Sequence, residues 1–207
     1  MTENDKQTEE KIFEAATLEF EEKGMDGARM QDIANRAGMN KSLLHYYFRT
    51  KDRLFDAVFQ KLAGRMFMKF TPIFDKNLSL EAKIRFFFRE HITFLNDNPK
   101  LPAFVLNEIN RNPERIRKLL KNVDFHKIFD MLYEQHHEEL AKYNITEENI
   151  PQIMITIASI SVFPFAARGI LEGIFEKLDL DFEDFIETRK DFAADFVIGA
   201  LHSRKTS

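Results

Sequence analysis

Apolar residues recur at three- and four-residue steps along almost the whole chain, the spacing of helices with one buried face. Ile12, Phe13, Ala16 and Phe20 predict a helix over 8–23, closed by Gly24. Met30, Ile33, Ala34 and Ala37 predict a second over 30–37, closed by Gly38. Leu44, Tyr47 and Phe48 face one way on a third, 41–48, with Asn40 as its N-cap. A fourth follows the cap residue Thr50 and runs to 69, striped by Leu54, Phe55, Val58, Phe59, Leu62 and Met66. The fifth, 79–95, carries Ile84, Phe87, Phe88, His91, Ile92 and Leu95. A short sixth, 102–110, opens on Pro102, and a long seventh, 112–143, opens on Asn112–Pro113. The eighth, 146–169, contains Pro164, which should kink it by removing a backbone donor. The ninth, 182–202, is striped by Phe182, Phe185, Ile186, Ala193, Phe196, Val197 and Ala200. With few β-branched runs and few glycines, the expected fold class is all-α.

The short third helix would not persist alone in water and must be held by packing. Its outward face holds Ser42, His45, Tyr46 and Arg49. A polar, aromatic and basic face without an aliphatic centre suits contact with bases and phosphates. The glycine turn between the second and third helices makes the stretch 28–52 a helix-turn-helix.

Composition narrows the remaining options. At 44% hydrophobic and 31% charged, the 207-residue chain is globular, not disordered. No cysteine is present, so disulfides and thiolate metal sites are excluded, which suits a reducing cytoplasm. The N-terminus is too acidic for a secretory leader. The longest uncharged run, Asn149 to Ala167, carries Pro164 and is still shorter than the roughly 20 residues of a membrane span, so it predicts a buried or interface helix and no membrane partner. Net charge is −4, but 39–51 carries Lys41, Arg49 and Lys51 and no acid. That segment is +3 and the remainder −4 − 3 = −7, so one basic end of an acidic body can meet phosphate.

Ala15, Ala16, Phe20, Gly24, Asp32–Ile33–Ala34, Ala37–Gly38, Lys41, Leu44, Tyr47–Phe48, Lys51 and Leu54 stand in one register that resembles the tetracycline-repressor (TetR-like) family of bacterial transcription regulators. The resemblance covers about a quarter of the chain, from Ile12 to Leu62. It implies an N-terminal helix-turn-helix DNA-binding domain (1–52, with the start of the fourth helix). The fourth helix would join it to a helical ligand-binding and dimerisation domain (53–207). It implies a non-enzymatic, cytoplasmic one-component regulator, a repressor, without a cofactor. Such a regulator binds palindromic double-stranded DNA as a homodimer, pairs through helices 8 and 9, and is released by a small, apolar ligand. Lys41, Tyr47 and Lys51 fall at phosphate-gripping positions, and Met39, Asn40, Ser42, Leu43, His45 and Tyr46 at base-reading ones. The chain departs from the family at Arg29, which replaces a Ser/Thr cap yet can reach phosphate. It departs again at Leu43, which replaces a threonine, and in the His45–Tyr46 order.

An apolar surplus points to Phe67, Phe87, Phe104, Phe125, Met131 and Phe163 as a ligand lining, though helical Phe is also ordinary core. Glu134 and His137 have E-x-x-H spacing, but no second such motif accompanies them, so no metal site is expected. Two other readings stay open. One is a helical-bundle metal-binding protein or enzyme with a fortuitous helix-turn-helix. The other is a constitutive DNA-binding adaptor without a ligand.

Overall fold

A computed structural model describes residues 3–121 and 125–204; the side chains of residues 3, 4, 115, 116, 119, 120, 125 and 128 are also outside the description. Among the described residues there is no strand. The helices are α1 (Glu3–Gly27), α2 (Met30–Arg36), α3 (Lys41–Tyr47), α4 (Lys51–Lys69), α5 (Leu80–Asp97), α6 (Leu101–Arg111), α7 (Pro113–Leu120), α8 (Phe125–Lys142), α9 (Ile150–Ala166), α10 (Arg168–Leu178) and α11 (Phe182–His202). A 3-10 turn, Thr71–Phe74, follows α4. The chain divides into two compact units, one of residues 1–65 with 103–122, the other of 66–102 with 123–207. This cut by compactness differs from the expected functional division at residue 52.

In the first unit, Ile12, Ala16 and Phe20 of α1, Ile33 and Ala34 of α2, Leu44 of α3 and Leu54 of α4 are completely buried. Phe20 meets Phe55 edge to face at 5.2 Å, and Phe13 meets Phe48 at 5.6 Å. Such aromatic pairs add about 0.5–1.5 kcal/mol each beyond their burial. The buried Glu19 carboxylate pairs with Lys23 of its own helix at 2.5 Å and ties α1 to α2 through Arg36 at 3.3 Å, the pairing a desolvated charge requires. α1 runs past Gly24, whose φ of 68° breaks the helical backbone where an end was expected.

In the second unit α5 packs against α9 and α11. Ile84, Phe88, His91, Ile92 and Leu95 are buried on the predicted face. Ser79 caps α5 by accepting from Ala82 N–H at 3.2 Å, and the Glu139 carboxylate takes the Leu80 N–H at 3.0 Å. Two of the first-turn donors, which have no partner inside a helix, are thereby satisfied.

Three expectations change. The helix predicted over 112–143 is two, α7 and α8, with 122–124 outside the described residues; α8 is itself bent at His136 (φ −131°, ψ 21°). The helix predicted over 146–169 is α9, and the chain turns by 72° into α10, which the sequence reading missed because Gly169 was taken as an end. The turn falls at Ala167 (φ −106°, ψ 18°), one residue past the last turn containing Pro164. Pro164 cannot donate to the Ile160 carbonyl, so Arg189 of α11 does: Nη2 at 3.0 Å and Nε at 3.3 Å. Burial pushes the Arg189 guanidinium below its ordinary range. The third change is on α11, where Phe196 and Ala200 of the predicted stripe are exposed; the buried stripe is Ile186, Ala193, Ala194, Val197, Ile198 and Leu201. Among the described residues no single helix is long and apolar enough to cross a membrane; the bent pair α9–α10 matches by combined length and composition.

Candidate nucleic-acid interface

Arg29 precedes α2 in an extended conformation and makes no side-chain cap, as its lack of an acceptor dictates. It is exposed and, among the described residues, has no ion-pair partner. α2 ends in a left-handed turn: Gly38 has φ 68°, and Met39 N–H reaches back to the Ala34 carbonyl at 3.0 Å. A side chain at Gly38 meets no obstacle in space but is strained by that φ.

Asn40 then starts α3. Its Oδ1 accepts from Leu43 N–H at 2.8 Å, so that oxygen is committed to capping and only its amide group is left for anything outside. Within α3, Leu44 is fully buried and Phe48, just beyond, nearly so. Lys41, Ser42, Leu43, His45 and Tyr46 are all exposed, and Met39 is half-buried. The spacing predicts this division into an inward and an outward face. Tyr46, at 81% exposure, is the most solvent-accessible large aromatic on the head, with its ring edge-on to Tyr47 at 5.5 Å. His45 Nδ1 lies 3.2 Å from the Arg49 carbonyl.

Two expected phosphate grips have internal partners. The Lys51 ammonium donates to the carbonyls of Ala28 at 3.0 Å and Asp26 at 3.2 Å, closing the end of α1 onto the start of α4. The Tyr47 hydroxyl donates to Asp5 Oδ1 at 3.1 Å. Burial, then Asp5, pushes the Tyr47 phenol above its ordinary range. Both contacts span more than twenty residues of sequence, so no local pattern signals them. Thr50 caps α4 by accepting from Arg53 N–H at 3.2 Å.

Residues 12–58 match the family model of bacterial regulatory proteins, tetR family. An HTH-type transcriptional repressor of Streptomyces coelicolor is 44% identical over 54 residues, 26% of this chain and 28% of that protein's own length. Over this N-terminal stretch the chain is similar to TetR-like regulators. A Bacillus subtilis protein carrying the name "Probable HTH-type transcriptional regulator YttP" is 21% identical over 164 residues, 76% of this chain and 77% of that one. A solved TetR-like transcriptional regulator from Rhodococcus sp. RHA1 superposes with a TM-score of 0.61 at 18% identity, covering 93% of this chain and 96% of that one. At that identity the likeness speaks for the fold: an N-terminal helix-turn-helix followed by a helical C-terminal part.

Of the expected lining residues, Phe104 belongs to the first unit and the others to the second. Phe104 is buried against Phe55 at 5.6 Å in the first unit. Phe87 stacks on Phe70 at 5.3 Å in the second, both rings half-buried. Phe67 and Phe163 are 55% and 61% exposed, Met131 is half-buried, and the Phe125 side chain lies outside the described residues. A cavity of about 500 Å³ lies elsewhere, between α8 and the start of α9. Phe129, Tyr133, Ile145, Ile150 and Pro151 line it, with Asp130, Glu134 and Glu147 among the polar residues. Glu134 thus belongs to a cavity wall; among the described residues no three His, Asp or Glu side chains are grouped to hold a metal ion.

Proposed function

We propose that this TetR-like chain is a cytoplasmic transcription repressor that binds two-fold-symmetric operator DNA as a homodimer and is released by a small ligand. The observation that carries the DNA reading is the outward face of α3: Lys41, Ser42, Leu43, His45 and Tyr46 are all exposed, and no acid lies between Met39 and Lys51. Lys41 and Arg29 supply cations for phosphate, which fix register without reading sequence. Ser42, Leu43, His45 and Tyr46 meet base edges; each well-made pairing contributes about 1–3 kcal/mol of discrimination, and Leu43 suits a thymine methyl.

One seven-residue helix reads only a few base pairs, so specificity needs a second copy. The second unit offers the surface for it. Ile155 and Phe163 of α9, Ile170 of α10, and Phe192 and Phe196 of α11 are each more than 60% exposed, and the last two rings are stacked at 6.4 Å. Exposed apolar residues in this number favour burial against a partner. The helices concerned include those expected to pair, the expected eighth and ninth being α9 and α11.

The α8–α9 cavity is the ligand site we favour. Three carboxylates in its wall make it a poor home for an anion, and its rings and aliphatic residues suit an apolar body. A ligand releases DNA only if it binds one conformation better than the other. α4, which runs through residue 65 from one compact unit into the next, is a continuous helical link for that shift.

The test is duplex binding as a function of salt for the wild type and for Lys41→Ala. Lys41→Ala should weaken binding to all duplexes and lower the slope of log affinity against log salt by about 0.9. Equal slopes sink the assignment of α3 to the phosphate backbone.

A further inference from the structure

The Tyr47 hydroxyl stands at the position expected to grip phosphate, yet it already has a partner. It donates to the Asp5 carboxylate at 3.1 Å, and Thr8 bonds it from the next turn of α1. The first turns of α1 therefore hold the end of the recognition helix. Asp5 is an anion bonded to a helix whose own segment carries no acid. A tyrosine has a single hydroxyl proton to donate.

We propose that Asp5 is a built-in brake on DNA binding, an anion that occupies the Tyr47 hydroxyl in the free protein and must yield it to a DNA phosphate. The proposal rests on the DNA-binding reading above and goes beyond it. Once a phosphate oxygen takes the Tyr47 proton, it and the Asp5 carboxylate flank the same hydroxyl. With both within ordinary hydrogen-bond reach of one oxygen, the two anions stand roughly 5–6 Å apart. Like charges that close repel, more so where the duplex excludes water. The contact is to backbone phosphate, so the brake lowers affinity for every sequence and leaves the preference among sequences unchanged.

A plainer role for Asp5 makes the opposite prediction. An acid in the first turn of a helix stabilises it through the positive N-terminal end of the helix dipole. If that were its whole role, removing the charge would loosen α1 and weaken DNA binding. If Asp5 is a brake, removing the charge tightens it.

The experiment compares wild type, Asp5→Asn, Tyr47→Phe and the double variant on one selected duplex and one random duplex over a range of salt. Asparagine keeps an acceptor for Tyr47 and drops only the charge. Asp5→Asn should tighten both duplexes about three- to tenfold at low salt, the gain shrinking as salt screens the charges. In the Tyr47→Phe background that gain should fall below about twofold, because the contested proton is gone. Unchanged or weaker binding by Asp5→Asn overturns the brake, and so does a gain that persists undiminished in Tyr47→Phe. A wild type without salt-dependent duplex affinity overturns the DNA reading itself, which separates the two failures. Without DNA, the ionisation of Tyr47 followed by ultraviolet absorbance should move to lower pH in Asp5→Asn; an unmoved transition overturns the contact.

Discussion

In the first unit α3 leaves Lys41, Ser42, His45 and Tyr46 exposed, while its aliphatic Leu44 is fully buried. In the second unit the placement is reversed. Lys83 is buried and donates to Gln135 at 2.7 Å; His91 is buried and meets Ser161 at 2.9 Å; Tyr143 donates to Glu81 at 2.6 Å. What that unit leaves outside is Ile155, Phe163, Ile170, Phe192 and Phe196. Buried polar groups with partners are the normal condition of a folded interior, so the informative part is what remains exposed. Polar and cationic groups at the surface of a short, packed helix suit a polyanion. Large apolar groups on neighbouring helices suit another copy of the same protein. The two surfaces therefore assign different partners to the two units, and each assignment can be broken separately.

The largest expected effect is on the apolar surface. Phe192→Glu with Phe196→Glu should weaken self-association at least 100-fold, since central aromatic anchors are worth about 2 kcal/mol or more each. Sedimentation equilibrium reads this, with helix content unchanged as the control. A dimer of undiminished strength would move the seam away from α11.

Next comes the buried imidazole. Burial lowers His91 to about 4, against an ordinary value near 6.5. A histidine whose folded value is depressed binds its proton more readily when unfolded. Its contribution is therefore complete above pH 6.5 and lost as pH falls toward 4. Denaturant titrations of the wild type should show about 3 kcal/mol of stability disappearing across that window from this residue. His91→Gln should flatten the loss. An equal pH dependence in that variant would mean that other groups carry it.

A smaller effect tests the polar satisfaction of the second unit. Arg189→Met leaves the Ile160 carbonyl without its donor and should cost about 1–3 kcal/mol. Pro164→Ala restores a backbone N–H for that carbonyl, so Arg189→Met should cost clearly less in that background. Equal costs in both backgrounds mean that Arg189 acts through packing alone.

The smallest effect separates two lysines of the head. Lys51 clamps the Asp26 and Ala28 carbonyls, so Lys51→Met should lower the stability of the head by about 1 kcal/mol. Lys41 is exposed with no such clamp, so Lys41→Met should leave thermal stability unchanged. Equal melting temperatures for the two variants would erase the distinction.

How far the sequence could be read follows the same division. The head was legible because its signals are local. Gly38 marks a left-handed turn, Asn40 a cap four residues before the buried Leu44, and Thr50 the next cap. The two contacts missed there, Tyr47 with Asp5 and Lys51 with Ala28, join residues far apart in the chain. In the body, α5 was read correctly because its one buried face repeats cleanly. α11 was not, because apolar residues occupy two of its faces and periodicity cannot say which is covered within one subunit. α10 was missed because Gly169 reads as a helix end, though it lacks the positive φ of a terminating glycine; Asp179, at φ 55°, ends the helix instead. The ligand lining was the least legible part for a related reason. Phenylalanine at helical spacing marks a face that packs somewhere: Phe104 is buried against Phe55, and Phe87 is half-buried against Phe70.

The central claim is that α3 reads DNA in a symmetric pair of copies. Selecting bound duplexes from a random-sequence pool with the purified protein tests it most directly. The account predicts an enriched, two-fold-symmetric sequence whose half-sites lie one helical turn apart, about 10–10.5 base pairs centre to centre, or a multiple of it. Enrichment of a single unpaired half-site would contradict the symmetric pair, and no enrichment at all would contradict the reading of α3.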